Sequence, residues 1–154
     1  MHNRITLTWS LESGQFAQPW VSQAFSQAAA TSGWTFTQVA PGGQANIPVY
    51  VDTQAPSMSL NGVGYTQWGD YGYSSARIEA SIGSRTPQAM KVRLFMHEIG
   101  HVLGLDHVES MSQVMYAEVP WAGEARFGAG DRAGLALVGA GQSCVLSVGD
   151  HVWR

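Results

Sequence analysis

The chain has 154 residues, a formal net charge of −3 at pH 7, and 12% charged against 45% hydrophobic residues. That length makes one domain able to bury about two-thirds of the surface of its unfolded chain. No basic stripe is present for phosphate contacts, which excludes nucleic acid as the main partner, and no apolar run is long enough for a membrane span. Cys144 is the sole cysteine, so no disulfide can form within the chain.

The first residues, Met1 to Ser10, lack the basic start and apolar run of a signal peptide. Ile5 to Trp9 alternates apolar and polar residues and reads as a half-buried strand. Pro19 then opens a helix in which Trp20, Val21, Ala24, Phe25 and Ala28 share a face, with Gly33 just past its end. Further strands are predicted at Thr35 to Val39, Ile47 to Asp52, Gly62 to Trp68 and Ala76 to Ile82, separated by Gly, Pro, Asn and Ser clusters. Trp68, Tyr71 and Tyr73, interleaved with glycine, read either as a loop near a cleft or as core packing. Thr86 and Pro87 resemble an N-cap and first turn for a helix running to about Leu103. Its apolar residues leave only a narrow polar side, which places it at the centre of the domain. The segment from Val108 to Gly128 has no clear period, and Asp131 opens a short helix through about Val138.

The end of the long helix carries His97-Glu98-Ile99-Gly100-His101-Val102-Leu103-Gly104-Leu105-Asp106-His107. On a helix, His97 and His101 lie one turn apart on the same side, so both rings can reach one metal ion. Gly104 stands where the helix must end, because glycine tolerates the left-handed conformation that closes many helices and turns the chain back. His107 can then arrive from outside the helix as a third ligand; Asp106 is the alternative, better suited to bracing the loop or remaining solvated. Three nitrogen ligands leave one tetrahedral position of a zinc ion open for water, as in catalytic rather than structural sites. Glu98, beside the first ligand, is placed to take a proton from that water. With this composition the five fixed positions arise by chance roughly once in tens of thousands of shuffled sequences.

The pattern H-E-x-x-H-x-x-G-x-x-H resembles the signature of the metzincins, zinc endopeptidases with a methionine-containing turn beneath the metal. Ser112-Gln113-Val114-Met115-Tyr116, with its methionine eight residues beyond His107, is similar to the Met-turn of the matrixin branch. The resemblance implies that Met115 is a hydrophobic floor under the three rings and not a ligand. It implies an α+β fold: a twisted mixed sheet of about five strands, a central active-site helix, the Met-turn and a C-terminal helix. Residues 1–140 would form the matrixin-like catalytic domain, with 141–154 a C-terminal extension of unknown role. The similarity in organisation covers roughly residues 4–140 and is specific from 97 to 116. Matrixins usually continue after the Met-turn with Pro-x-Tyr, which lines the pocket for the residue after the cut. Ala117-Glu118-Val119 follows here, which leaves pocket preference open.

By the same resemblance the substrate is a protein or peptide that adds as an extra strand to a sheet edge. The expected edge is Gly62-Val63-Gly64-Tyr65, where small residues let a peptide backbone approach, with Glu118 and Val119 beside the pocket. A plain surface hairpin accounts for the same glycines. Besides the three motif histidines only His2 and His151 remain, at opposite ends of the chain, which argues against a second zinc site. Calcium would have Asp52 or Asp70 with backbone carbonyls, and no dense acidic loop is present. The resemblance favours a place outside the cell or on a virion, although the chain shows no signal peptide. Two other readings stay open. One is a binding or structural module of a larger assembly, such as a phage particle or a secretion machine, that retains the metal site; the other is a zinc amidase acting on cell wall. Glu98 argues against the first, because a purely structural site does not need that carboxylate.

Overall fold

The computed structural model describes residues 5–57, 60–69, 72–118, 125–139 and 151–153. In chain order these form β1 (Thr6–Ser13), a single 3-10 turn (Gln15–Ala17), α1 (Gln18–Ser32), β2 (Thr35–Gln38) and β3 (Ile47–Ala55). There follow β4 (Leu60–Gly69), β5 (Gly72–Gly83), α2 (Gln88–Val102), α3 (Ala129–Gly139) and β6 (His151–Trp153). The sheet has the order β2-β1-β3-β5-β4-β6. β1 runs parallel to β2 and β3, and β3 parallel to β5, while β4 is antiparallel to both β5 and β6. The five strands expected from the sequence are all present, and the α+β mixed-sheet architecture is the one expected. β6, drawn from the C-terminal segment, is added at the edge.

Period-two burial builds one face of this sheet. Leu7, Trp9 and Leu11 of β1, Ile47, Val49 and Val51 of β3, and Ala76, Ile78, Ala80 and Ile82 of β5 are buried in one core cluster. The other face is polar: Arg77 of β5 pairs with Glu79 at 2.6 Å and lies 4.2 Å from the centre of the Tyr50 ring. The helices cover the apolar face. α1 contributes Val21, Ala24, Phe25 and Ala28, and Phe25 stacks on Trp9 with ring centroids 4.6 Å apart. Each large side chain buried in this way contributes about 1.5–3 kcal/mol. Trp20, predicted on the same face, is half-buried at its rim, with the Lys91 ammonium 4.1 Å from its ring centre. α1 stops where expected: Gly33 takes φ 80°, and its N–H donates to the carbonyl of Ala29.

α2 is buried along its length from Met90 to Val102, Lys91 and Arg93 included. It begins one residue later than the sequence suggests, because Pro87 is itself the N-cap and its carbonyl accepts from the N–H groups of Met90 and Lys91. α2 packs against α1 on one side and against β4 and β5 on the other. Helix α2 is thus held on both sides, and the histidine motif stands at its C-terminal end. Of the other sequence expectations, Trp68 and Tyr73 stand opposite each other in the β4–β5 ladder. His2, Asp70, Tyr71, Val119 and Cys144 lie outside the described residues.

Candidate metal centre

His97 and His101 project from one side of α2, both buried. Past Val102 the helix closes in a Schellman arrangement, with Gly104 at φ 103°. Its N–H donates to the carbonyl of His101 at 2.9 Å, and the N–H of Leu105 reaches back to that of Gly100 at 2.8 Å. The left-handed residue reverses the chain and brings His107 over the helix end. Asp106 is exposed, and its carboxylate accepts the N–H of His107 at 2.7 Å; it braces the loop that presents the third ring.

The three Nε2 atoms converge. They are 2.9 Å apart between His97 and His101, 3.1 Å between His101 and His107, and 3.2 Å between His97 and His107. The Nδ1 atoms of the two helical rings face carbonyl oxygens, that of Val114 at 2.7 Å from His97 and that of Leu105 at 2.8 Å from His101. A carbonyl only accepts, so each of these Nδ1 atoms carries the proton and donates it. Their Nε2 lone pairs are thereby aimed at each other, an arrangement that repels unless a cation sits between them. Tetrahedral zinc with bonds of about 2.0–2.1 Å separates its ligand nitrogens by about 3.3 Å, close to the spacing found. The donor set therefore fits a zinc ion, and these three histidines form a group able to hold a metal.

Glu98 follows His97 and is fully buried. Its Oε1 lies 3.8 Å from Nε2 of His97, and among the described residues neither carboxylate oxygen has a hydrogen-bond partner. Burial pushes its pKa well above the usual carboxylate value. The neighbouring wall is β4. A Cβ on Gly62 would lie 3.2 Å from Cγ of Glu98, and one on Gly64 would lie 2.8 Å from both its Oε2 and its backbone oxygen. The two glycines thus let the strand pass directly against the carboxylate. Val63 between them is half-buried, and Tyr65 continues the same strand.

Met115 is buried at 1% exposure and rests against α2 at Gly100, the residue just before His101, where an added Cβ would come within 2.4 Å of its sulfur. The turn that carries it is fixed from several directions. Val108, next to His107, donates its N–H to the carbonyl of Met115 at 3.0 Å. The guanidinium of Arg93 donates to the carbonyls of Met111 and Gln113. Asp131, buried in the first turn of α3, accepts the N–H groups of Val114 at 2.6 Å, Met115 at 3.1 Å and Gly128 at 2.8 Å. One peptide group links this carboxylate to the histidine cluster. The N–H of Met115 and the C=O of Val114 belong to the same unit, which is held by Asp131 on one side and holds the His97 ring on the other.

Sequence reasoning read Asp131 only as the opening of a helix and gave Arg93 no role. An acidic residue in a first helical turn is expected on electrostatic grounds alone. For Arg93 the available signal is its place, with Lys91, among the apolar residues of a helix with only a narrow polar side. Glu118 is exposed just beyond the Met-turn.

The family model for matrixin matches residues 3–136, which takes in every strand from β1 to β5, the three histidines and the Met-turn. No curated protein matches the chain. The fold, the convergent histidines and the match over most of the sequence agree: this chain belongs to the matrixin family, the zinc metallopeptidases of metzincin type.

Proposed function

We propose that the chain is a zinc endopeptidase in which His97, His101 and His107 hold the ion, Glu98 is the catalytic base and then acid, and Met115 is the floor of the site. The observation that carries this reading is the pairing of three converging Nε2 atoms with a buried carboxylate that has no partner of its own. A metal held for structure alone gives no reason to keep such a carboxylate beside it, at a desolvation cost of several kcal/mol. When bound, zinc supplies Lewis-acid chemistry, lowering the pKa of water to about 7 and polarising the scissile carbonyl.

The chain's own groups do the rest. The single N–H of His97 and of His101, at Nδ1, donates to a backbone carbonyl and fixes the orientation of both rings. A carboxylate oxygen of Glu98 takes a proton from the attacking water as its oxygen bonds to the peptide carbon, and the same oxygen gives that proton to the departing amine. The substrate backbone lies as an extended strand along the edge of β4 at Gly62, Val63, Gly64 and Tyr65. Glu118 and Val119 flank the position after the cut.

The test is Glu98→Gln beside the parent chain, with metal analysis and cleavage of an unfolded protein and a peptide library. The expected result is one zinc in both proteins and a loss of about 10²–10⁴-fold in kcat for the variant. A variant that cleaves as fast as the parent refutes the role of Glu98. A parent that binds zinc and cleaves no peptide refutes the activity.

A further inference from the structure

We propose that the segment His151–Trp153 is an internal strand that occupies the peptide-binding edge of β4 and has to leave it before a substrate docks. The purpose given to that edge rests on the peptidase reading above; the pairing does not. β6 lies antiparallel to β4 with Gly62 opposite Trp153, Val63 opposite Val152 and Gly64 opposite His151. These are the β4 residues whose glycines abut Glu98, and β6 also approaches α2 itself. The segment is therefore paired with the stretch of edge nearest the candidate base, and not with the far end of the strand.

A strand edge offers one row of N–H and C=O groups, so two strands cannot pair with the same residues at once. Three residues make a weak strand by themselves. Tethering changes the balance, because a segment in the same chain meets the edge in an intramolecular step, at an effective concentration above that of a dilute free peptide. A peptide at micromolar concentration then meets an edge that is free for only a fraction of the time, and its apparent affinity falls by that fraction. The chemical step is untouched once the segment has left. Occupancy of the edge for four-fifths of the time raises KM about fivefold and leaves kcat unchanged.

The experiment uses the full chain carrying Val152→Pro and Trp153→Pro together. Successive N–H groups of a strand point alternately toward and away from its neighbour, so two consecutive prolines remove a donor facing β4 in either register parity. Two readouts are taken: KM and kcat on a peptide substrate, and amide hydrogen exchange at Gly62 to Gly64. The expected result is a KM lower by about fivefold, unchanged kcat and faster exchange at the edge. A synthetic peptide of residues 147–154 added to the variant is expected to inhibit competitively and to restore the protection. Unchanged exchange, or faster exchange with the parent's KM, overturns the proposal. If neither protein cleaves anything, exchange decides alone: faster exchange in the variant upholds the pairing and puts the failure on the peptidase reading, and unchanged exchange refutes the pairing.

Discussion

Asp131→Asn is the substitution that most directly tests whether the Met-turn and the metal site are one mechanical unit. The carboxylate accepts three N–H groups, two of them on Oδ2 (Val114 and Gly128) and one on Oδ1 (Met115). An amide keeps one acceptor oxygen. In the less costly orientation that oxygen replaces Oδ2, and the new NH2 then faces the N–H of Met115, donor against donor. A hydrogen bond to a charged group contributes about 1.5–3 kcal/mol, and the two that survive are weakened by loss of the charge. The expected destabilisation is about 3 kcal/mol, and about 5 kcal/mol or more for Asp131→Ala, which strands all three donors. For a domain of this size about 3 kcal/mol lowers Tm by about 6–12 °C.

The effect should extend to the metal. Releasing the N–H of Met115 frees the peptide unit whose carbonyl accepts from Nδ1 of His97, so the ring loses its fixed orientation. Loss of a direct partner of a ligating ring weakens metal binding by about 10–100-fold, and Asp131 acts one bond further out, so a loss of about tenfold is expected. Calorimetry in the presence of a chelator reads the fold by itself, and competition with a zinc-binding dye reads affinity separately. An Asn variant with the parent's Tm and the parent's zinc affinity would show that Asp131 braces neither the turn nor the ring.

Stripping zinc from the loaded parent leaves the Nε2 lone pairs of His97 and His101 facing each other; at zinc concentrations about 1,000 times Kd this costs about 4 kcal/mol, seen as a Tm lowered by about 8–16 °C and restored by zinc. Gly64→Ala places a methyl group 2.8 Å from Oε2 and the backbone oxygen of Glu98. It should cut kcat by at least about tenfold, because a displacement of about 1 Å at a catalytic group has costs of that order or more, and zinc stoichiometry should be unchanged. Phe25→Ala removes the ring stacked on Trp9 and should destabilise the fold by about 3–5 kcal/mol in urea denaturation, with zinc still bound by the folded fraction.

What was legible in the sequence and what was not divides along the range of the interactions. His97, Glu98, His101, Gly104 and His107 are fixed by the helical repeat and one helix stop, so eleven consecutive residues announce the site before any tertiary contact is known. The strands of the core were legible for a similar reason, since period-two burial is written locally in β1, β3 and β5. Asp131 and Arg93 were not, because each acts on a turn that reaches it only after the chain has folded. Nothing near Asp131 in sequence says that the N–H groups of Val114 and Met115 await it. The same holds for the edge of β4. Its glycines suggested a close approach of backbone, but whether the approaching group is a loop, a substrate or the protein's own C-terminal segment depends on long-range pairing. The local motif therefore specifies the chemistry at the metal, while the contacts that brace the site and govern access to it come from distant parts of the chain, from α3 and from β6. Substitutions in those distant parts should change stability, metal affinity and KM while the histidine motif itself stays intact.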